Sequence, residues 1–97
     1  MKMRPDWDEP KRLANLAKHW LDFANTNMVL DSRYRMDIPV VRNDEPRTMS
    51  FSYVMDLLAV LTVIHLDRDG AVRIISFRPA SEIETEVYYE WLTQEND

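Results

Sequence analysis

Residues 57–78, LLAVLTVIHLDRDGAVRIISFR, decide the fold of this 97-residue chain. Two segments rich in β-branched and aliphatic residues, 57–66 and 71–78, flank Asp67-Arg68-Asp69-Gly70, which contains the chain's only glycine. An Asp-Gly pair tolerates the positive φ that a tight hairpin turn requires, so the two segments are expected to pair antiparallel. The run from Leu57 to Ile64 is apolar at both alternating positions. Its strand should therefore be covered on both faces and lie centrally. The same run is too short, and too polar at Thr62, to span a bilayer.

Working toward the N terminus, segments 47–54 and 33–41 are also rich in Val, Ile, Tyr, Phe and Thr, which makes four strands. Pro39 cannot donate to a ladder and demotes 33–41 to an edge or a bulged pairing. Asp8-Glu9-Pro10 suits a helix start, with an acceptor at the N-cap and proline in the first turn. At 100° per residue, Leu13, Leu16, Ala17, Trp20, Phe23 and Ala24 share one arc, expected to face the core. Lys11, Asn15, Lys18 and Asp22 share the opposite arc, with Arg12 and His19 beside them. Residues 22–30 either continue this helix or form a second short one capped by Asp22, with a break near 20–22. Toward the C terminus, Ser81-Glu82-Ile83-Glu84 has capping-box spacing and predicts a helix over about 82–93. Ile83, Val87, Tyr88, Trp91 and Leu92 should form its buried face. The expected architecture is α+β: a small antiparallel sheet of about four strands, two N-terminal helices and one C-terminal helix. Segments 47–54, 57–66 and 71–78 form its meander.

Hydrophobic residues make up 45% of the chain and charged residues 30%, which suits one folded domain over 1–97. The absence of cysteine excludes disulfides and thiolate metal sites. With no signal-peptide pattern, the cytoplasm is the expected compartment and no membrane partner is expected. A single glycine, placed in a hairpin turn, excludes phosphate-cradling and dinucleotide motifs; no cofactor and no metal are expected. The net charge of −5 is unevenly spread. From Pro79 onward there are six acids and no lysine or arginine, so the preceding residues carry all 12 basic side chains against 11 acids. Basic groups could cluster on that nearly neutral body.

The candidate groups are Lys11, Lys18 and His19 on the first helix, with Arg47, Arg73 and Arg78 in strands or at their ends. One reading makes them solvated charges paired with nearby acids. The other has them grip RNA phosphates, one acting as base on a 2′-hydroxyl and the rest neutralising developing phosphorane charge. His65, inside an apolar strand, reads as a packed histidine. Arg73 and Arg78 differ by an odd number, so an unbroken strand would point them to opposite faces. Arg78, before Pro79, is therefore expected past the strand end.

Two segments carry a family resemblance. Trp7-Asp8-Glu9-Pro10-Lys11 with Asn15-Leu16-Ala17-Lys18-His19 is similar to W-D-x-x-K and N-x-x-K-H. Glu45-Pro46-Arg47, a hydrophobic strand, and Arg73-Ile74-Ile75-Ser76-Phe77-Arg78-Pro79-Ala80 are similar to R-I-I-S-x-R-x-A, with Tyr88 following. In order and spacing the chain resembles the BrnT toxin family, within the RelE/ParE-like superfamily of small α+β toxins. That resemblance implies an endoribonuclease that blocks translation, and a site of cationic side chains needs no metal, so a metal-independent reaction is expected. It also implies a cognate antitoxin that binds operator DNA and brings the toxin to it. Carried over by position, the catalytic candidates are Lys11, His19, Arg47, Arg73 and Arg78, with Lys18 weaker. Trp20 stands where the family usually has glycine: either the helix runs on, or a left-handed turn is strained by about 1 kcal/mol. Glu84-Thr85 and further glutamates replace the basic residues usual in the last helix. Alternative readings are a catalytically weakened relative acting as a protein-binding module, and an unrelated small α+β binding protein. The acidic and aromatic C-terminal helix is expected to bind a basic antitoxin segment or to support a homodimer.

Overall fold

The computed structural model describes residues 4–95. Its order is β1 (Arg4–Trp7), α1 (Glu9–His19), a 3-10 turn (Phe23–Asn25), α2 (Asn27–Leu30), β2 (Met36–Arg42) and β3 (Glu45–Val54). A second 3-10 turn (Met55–Leu57), β4 (Ala59–Arg68), β5 (Ala71–Pro79) and α3 (Glu82–Glu95) complete it. The strands form one sheet in the order β1-β5-β4-β3-β2.

The α+β class and the antiparallel meander β3-β4-β5 match the expectation, with β4 at the centre and β2, which carries Pro39, at an edge. The sheet itself departs from it, having five strands and being mixed rather than about four and antiparallel. The additional strand is β1, which runs parallel to β5 with Arg4 opposite Ala71 and Trp7 opposite Ile74. Four residues that include Pro5 show no alternation; they are extended because β5 offers an edge to pair with. The second N-terminal helix is reduced to a 3-10 turn, N-capped by Asp22 through Ala24 N–H, and the four residues of α2.

Both two-residue hairpin turns are built from consecutive left-handed residues, Asn43 (φ 52°) with Asp44 (φ 63°) and Asp69 (φ 54°) with Gly70 (φ 80°). This is the turn whose twist matches the strands it joins. The apolar run from Leu57 enters its strand later than expected. Leu57 lies in the 3-10 turn, Leu58 is left-handed (φ 52°) and exposed, and pairing begins at Ala59.

Cores form on both faces of the sheet, which explains why β4 is apolar at both parities. On one face Phe23, Val29, Leu61, Val63, Val72, Ile74 and Phe77 pack together, with Trp7 against them. On the other, Met36, Phe51 and Val60 receive Tyr88, Trp91 and Leu92 of α3. The capping box at the start of α3 is present, Glu84 N–H donating to Ser81 Oγ and Ser81 N–H to Glu84 Oε1. The predicted buried face of this helix is too wide, since Ile83 and Val87 are exposed.

Of the core face assigned from Leu13 to Ala24, Leu16 is partly buried and Phe23, beyond the end of α1, is fully buried, but the rest is overturned. Leu13, Ala17 and Trp20 are exposed, and the partly buried residues are Arg12, Asn15, Leu16 and His19, largely from the arc expected to face water. No residue of α1 is fully buried. The helix ends at His19, and Trp20 takes the left-handed C-cap (φ 61°, ψ 24°), its N–H bonding Leu16 C=O. Of the two alternatives at this position, the strained turn is the one adopted.

Candidate active site

The inverted orientation of α1 has a specific cause. β1 covers the edge of β5 only from Ala71 to Ile74, leaving the backbone of Phe77 without a strand partner on that side. Asn15 fills the place. Its Oδ1 accepts from Phe77 N–H at 3.2 Å, and its Nδ2 donates to the carbonyls of Phe77 at 2.7 Å and Leu21 at 3.0 Å. A side-chain amide carries the same donor and acceptor pair as a peptide group, so one asparagine completes the ladder where the strand stops. Arg12 fastens the same face, bonding Glu9 at 2.6 Å and Asp22 at 3.0 Å.

One turn after Asn15 stands His19, near enough to Arg78 to feel its charge. Partial burial holds the His19 pKa below its ordinary 6.5, and the positive charges of Lys18 and Arg78 lower it further. The imidazole is thereby neutral near pH 7 and able to accept a proton.

Arg78 lies within β5, not past its end, and the parity argument fails for a different reason. Ile64 pairs with Ser76 while His65 pairs with Ile74, so Ile75 is an extra residue, a β-bulge. It reverses the alternation. Arg73 stands opposite Leu66 and Arg78 opposite Thr62, four residues apart on β4, so both arginines share the face covered by α3. Arg47 belongs to that face as well, two residues before Met49, which pairs with Ile64. The strands thus bring the three arginines to one face, and of these Arg78 is the one whose charge acts on His19. Lys11, exposed in the first turn of α1, lies two turns from His19 and is not brought to it.

Each arginine is held by an acid. Arg47 meets Glu45 at 2.8 Å, Arg73 meets Asp6 at 2.8 Å, and Arg78 forms a two-pronged pair with Glu84 at 2.8 and 3.0 Å. Glu84 therefore does two jobs, capping α3 and aiming Arg78. The Arg78 guanidinium, with the Ser81 contacts, outweighs burial and holds the Glu84 carboxyl down at about 2, from an ordinary 4.5. A carboxyl with a depressed folded pKa stabilises fully above its unfolded value, and this contribution is lost as pH falls from about 4.5 toward 2. In Glu84→Gln, the urea midpoint should accordingly fall less steeply over that interval than in the unsubstituted protein.

His65 is fully buried and has no route to a substrate. Its Nε2 lies 2.7 Å from Ser50 Oγ, which donates to Asp37 at 2.6 Å, and its Nδ1 meets Asp67. Burial raises the Asp37 pKa, but hydrogen bonds from Arg35 and Ser50 outweigh it and the net shift is downward. This chain of contacts ties β2 to β3 and β4 inside the sheet.

Two site residues escape a reading of the sequence by residue type. Asn15 is a polar residue on a polar arc, and Glu84 is fully explained by its capping-box spacing. The functional signal for both is a partner 62 or 6 residues away.

A family model described as the ribonuclease toxin BrnT of type II toxin–antitoxin systems matches residues 7–84. The match takes in α1, the whole meander and the capping box of α3. No curated relative matches the chain.

Proposed function

The chain belongs to the BrnT family of ribonuclease toxins of type II toxin–antitoxin systems, and from that premise we propose that it is a metal-independent endoribonuclease whose centre is His19 with Arg78. What supports this reading is the clasp of Asn15 on the edge of β5 one turn before His19, whose pKa is lowered by burial and by the charges of Lys18 and Arg78. His19 accepts the proton of a ribose 2′-hydroxyl, whose oxygen attacks the adjacent phosphorus. The bond to the 5′ oxygen breaks, that oxygen takes a proton from solvent, and a 2′,3′-cyclic phosphate remains. Arg78 neutralises charge that grows on the phosphate oxygens. Arg47 and Arg73, on the same face, bind flanking phosphates, while Lys11 and Lys18 line the approach along α1. Cleavage of messenger RNA blocks translation, and the cognate antitoxin both neutralises the toxin and carries it to operator DNA.

A second reading is favoured by one observation: all three arginines already hold carboxylates. In that reading the chain is a weakened relative acting through its protein partner. Incubation of the purified chain with single-stranded RNA decides between them. Cleavage should proceed in the presence of chelator, and kcat/KM should fall as pH drops through a value below 6.5, because protonation removes the His19 base. Expression without the antitoxin should arrest growth. If the chain neither cuts RNA nor arrests growth, the binding-module reading replaces the enzyme.

A further inference from the structure

Trp20 is unexplained by the fold. It is a large aromatic residue, 88% exposed, held in a left-handed conformation that glycine would adopt without strain. It makes no ring contact with another aromatic residue among the described residues, whereas Trp7 packs edge-on against Phe23 and Trp91 lies against Tyr88. Its backbone follows directly on His19, one Cα spacing of about 3.8 Å away. A strand whose phosphate meets His19 therefore passes the residue that carries the indole.

Along the chain from Pro10 to Leu21 the charge has one sign. Between Glu9 and Asp22 the sequence contains no acid, and both of those carboxylates are engaged by Arg12. Lys11 and Lys18 make no ion pair among the described residues. Cationic side chains beside a bare aromatic face form the combination that holds single-stranded nucleic acid, phosphates on the charges and bases on the ring. Leu13 and Ala17 continue an exposed apolar stripe, but two large side chains with an alanine between them offer little area for a stable protein interface.

We infer that Trp20 is a stacking platform for an unpaired RNA base adjoining the phosphate held at His19 and Arg78. The inference rests on the ribonuclease reading for its position and can be tested without cleavage. The probe is a single-stranded oligonucleotide with 2′-O-methyl groups, which lacks the attacking hydroxyl. Binding should quench the fluorescence of the exposed indole, and Trp20→Gly and Trp20→Leu should both weaken it by roughly 5- to 100-fold. Trp20→Tyr should retain most of the affinity. Thermal stability of Trp20→Gly should equal or exceed that of the unsubstituted chain, because the left-handed strain is relieved, so weaker binding will not reflect unfolding. On cleavable RNA the same substitution should raise KM more than it lowers kcat. Equal oligonucleotide affinity in Trp20→Gly overturns the inference. So does full affinity in Trp20→Leu, which would mark a merely apolar contact, or a loss confined to antitoxin binding, which would make the stripe a protein-docking surface. Quenching without RNA cleavage by the unsubstituted chain would sink the enzyme reading and leave the stacking site standing.

Discussion

Replacing Arg78 by alanine is expected to lower kcat/KM for RNA cleavage by roughly 30- to 1000-fold, about 2 to 4 kcal/mol of transition-state stabilisation. The effect should fall on kcat, because charge on the phosphate oxygens grows only as the 2′ oxygen attacks. Stability should change little by comparison. Glu84 loses its guanidinium partner but still accepts from Ser81 N–H at 2.8 Å, and the cap of α3 survives. His19→Ala should lower the rate by a comparable factor and also abolish the pH dependence below 6.5, which separates a lost base from a lost counter-charge. Arg73→Ala provides the contrast. Arg73 is about half exposed and bonded to Asp6 at the hairpin end of β5, so its loss should raise KM with little change in kcat. An Arg78→Ala protein that cuts RNA at the normal rate would exclude Arg78 from the chemistry.

Asn15→Ala is expected to show the largest combined loss of stability and activity, although Asn15 has no chemical role in the reaction. It leaves Phe77 N–H, Phe77 C=O and Leu21 C=O without their partner in a half-buried position. Partly compensated by water, this should cost about 2 to 3 kcal/mol. Urea unfolding measures that cost directly. Activity should fall as well, since the Asn15 hydrogen bonds tie the helix bearing His19 to β5, whereas the Arg12 bridges to Glu9 and Asp22 stay within α1 and the turn after it. Asn15→Asp is the informative comparison. A carboxylate accepts from Phe77 N–H but cannot donate to either carbonyl, so it should recover only part of both losses. Unchanged stability in Asn15→Ala would mean that the open edge of β5 is satisfied by other groups.

Local rules succeeded wherever a few neighbouring residues settle the conformation. The Asp8 and Asp22 caps, the capping box at Ser81 and Glu84, and the Asp69-Gly70 turn all depend on hydrogen bonds or φ preferences within a span of about four residues. The central position of β4 was equally legible, because a strand buried on both faces has no polar parity. The arginines and His19 stood out as residue types, but their type said nothing about mutual position.

Tertiary structure decided the rest. The periodicity of α1 measures its own amphipathicity and pointed Leu13 and Trp20 inward; the unpaired backbone at Phe77 called for Asn15 instead, and turning Asn15 inward turned Leu13 and Trp20 out. Counting residues from Arg73 to Arg78 placed them on opposite faces, and one unpaired residue at Ile75 put them on the same one. β1 is a strand only because β5 presents it with donors and acceptors. The sequence by itself thus determined caps, turns, the meander and the chemistry available. Which arginines share a surface was decided by one bulge in the pairing of β5 with β4, and which face of α1 is inward by backbone groups more than sixty residues away, because an unsatisfied hydrogen-bonding group must find its partner wherever the chain supplies one.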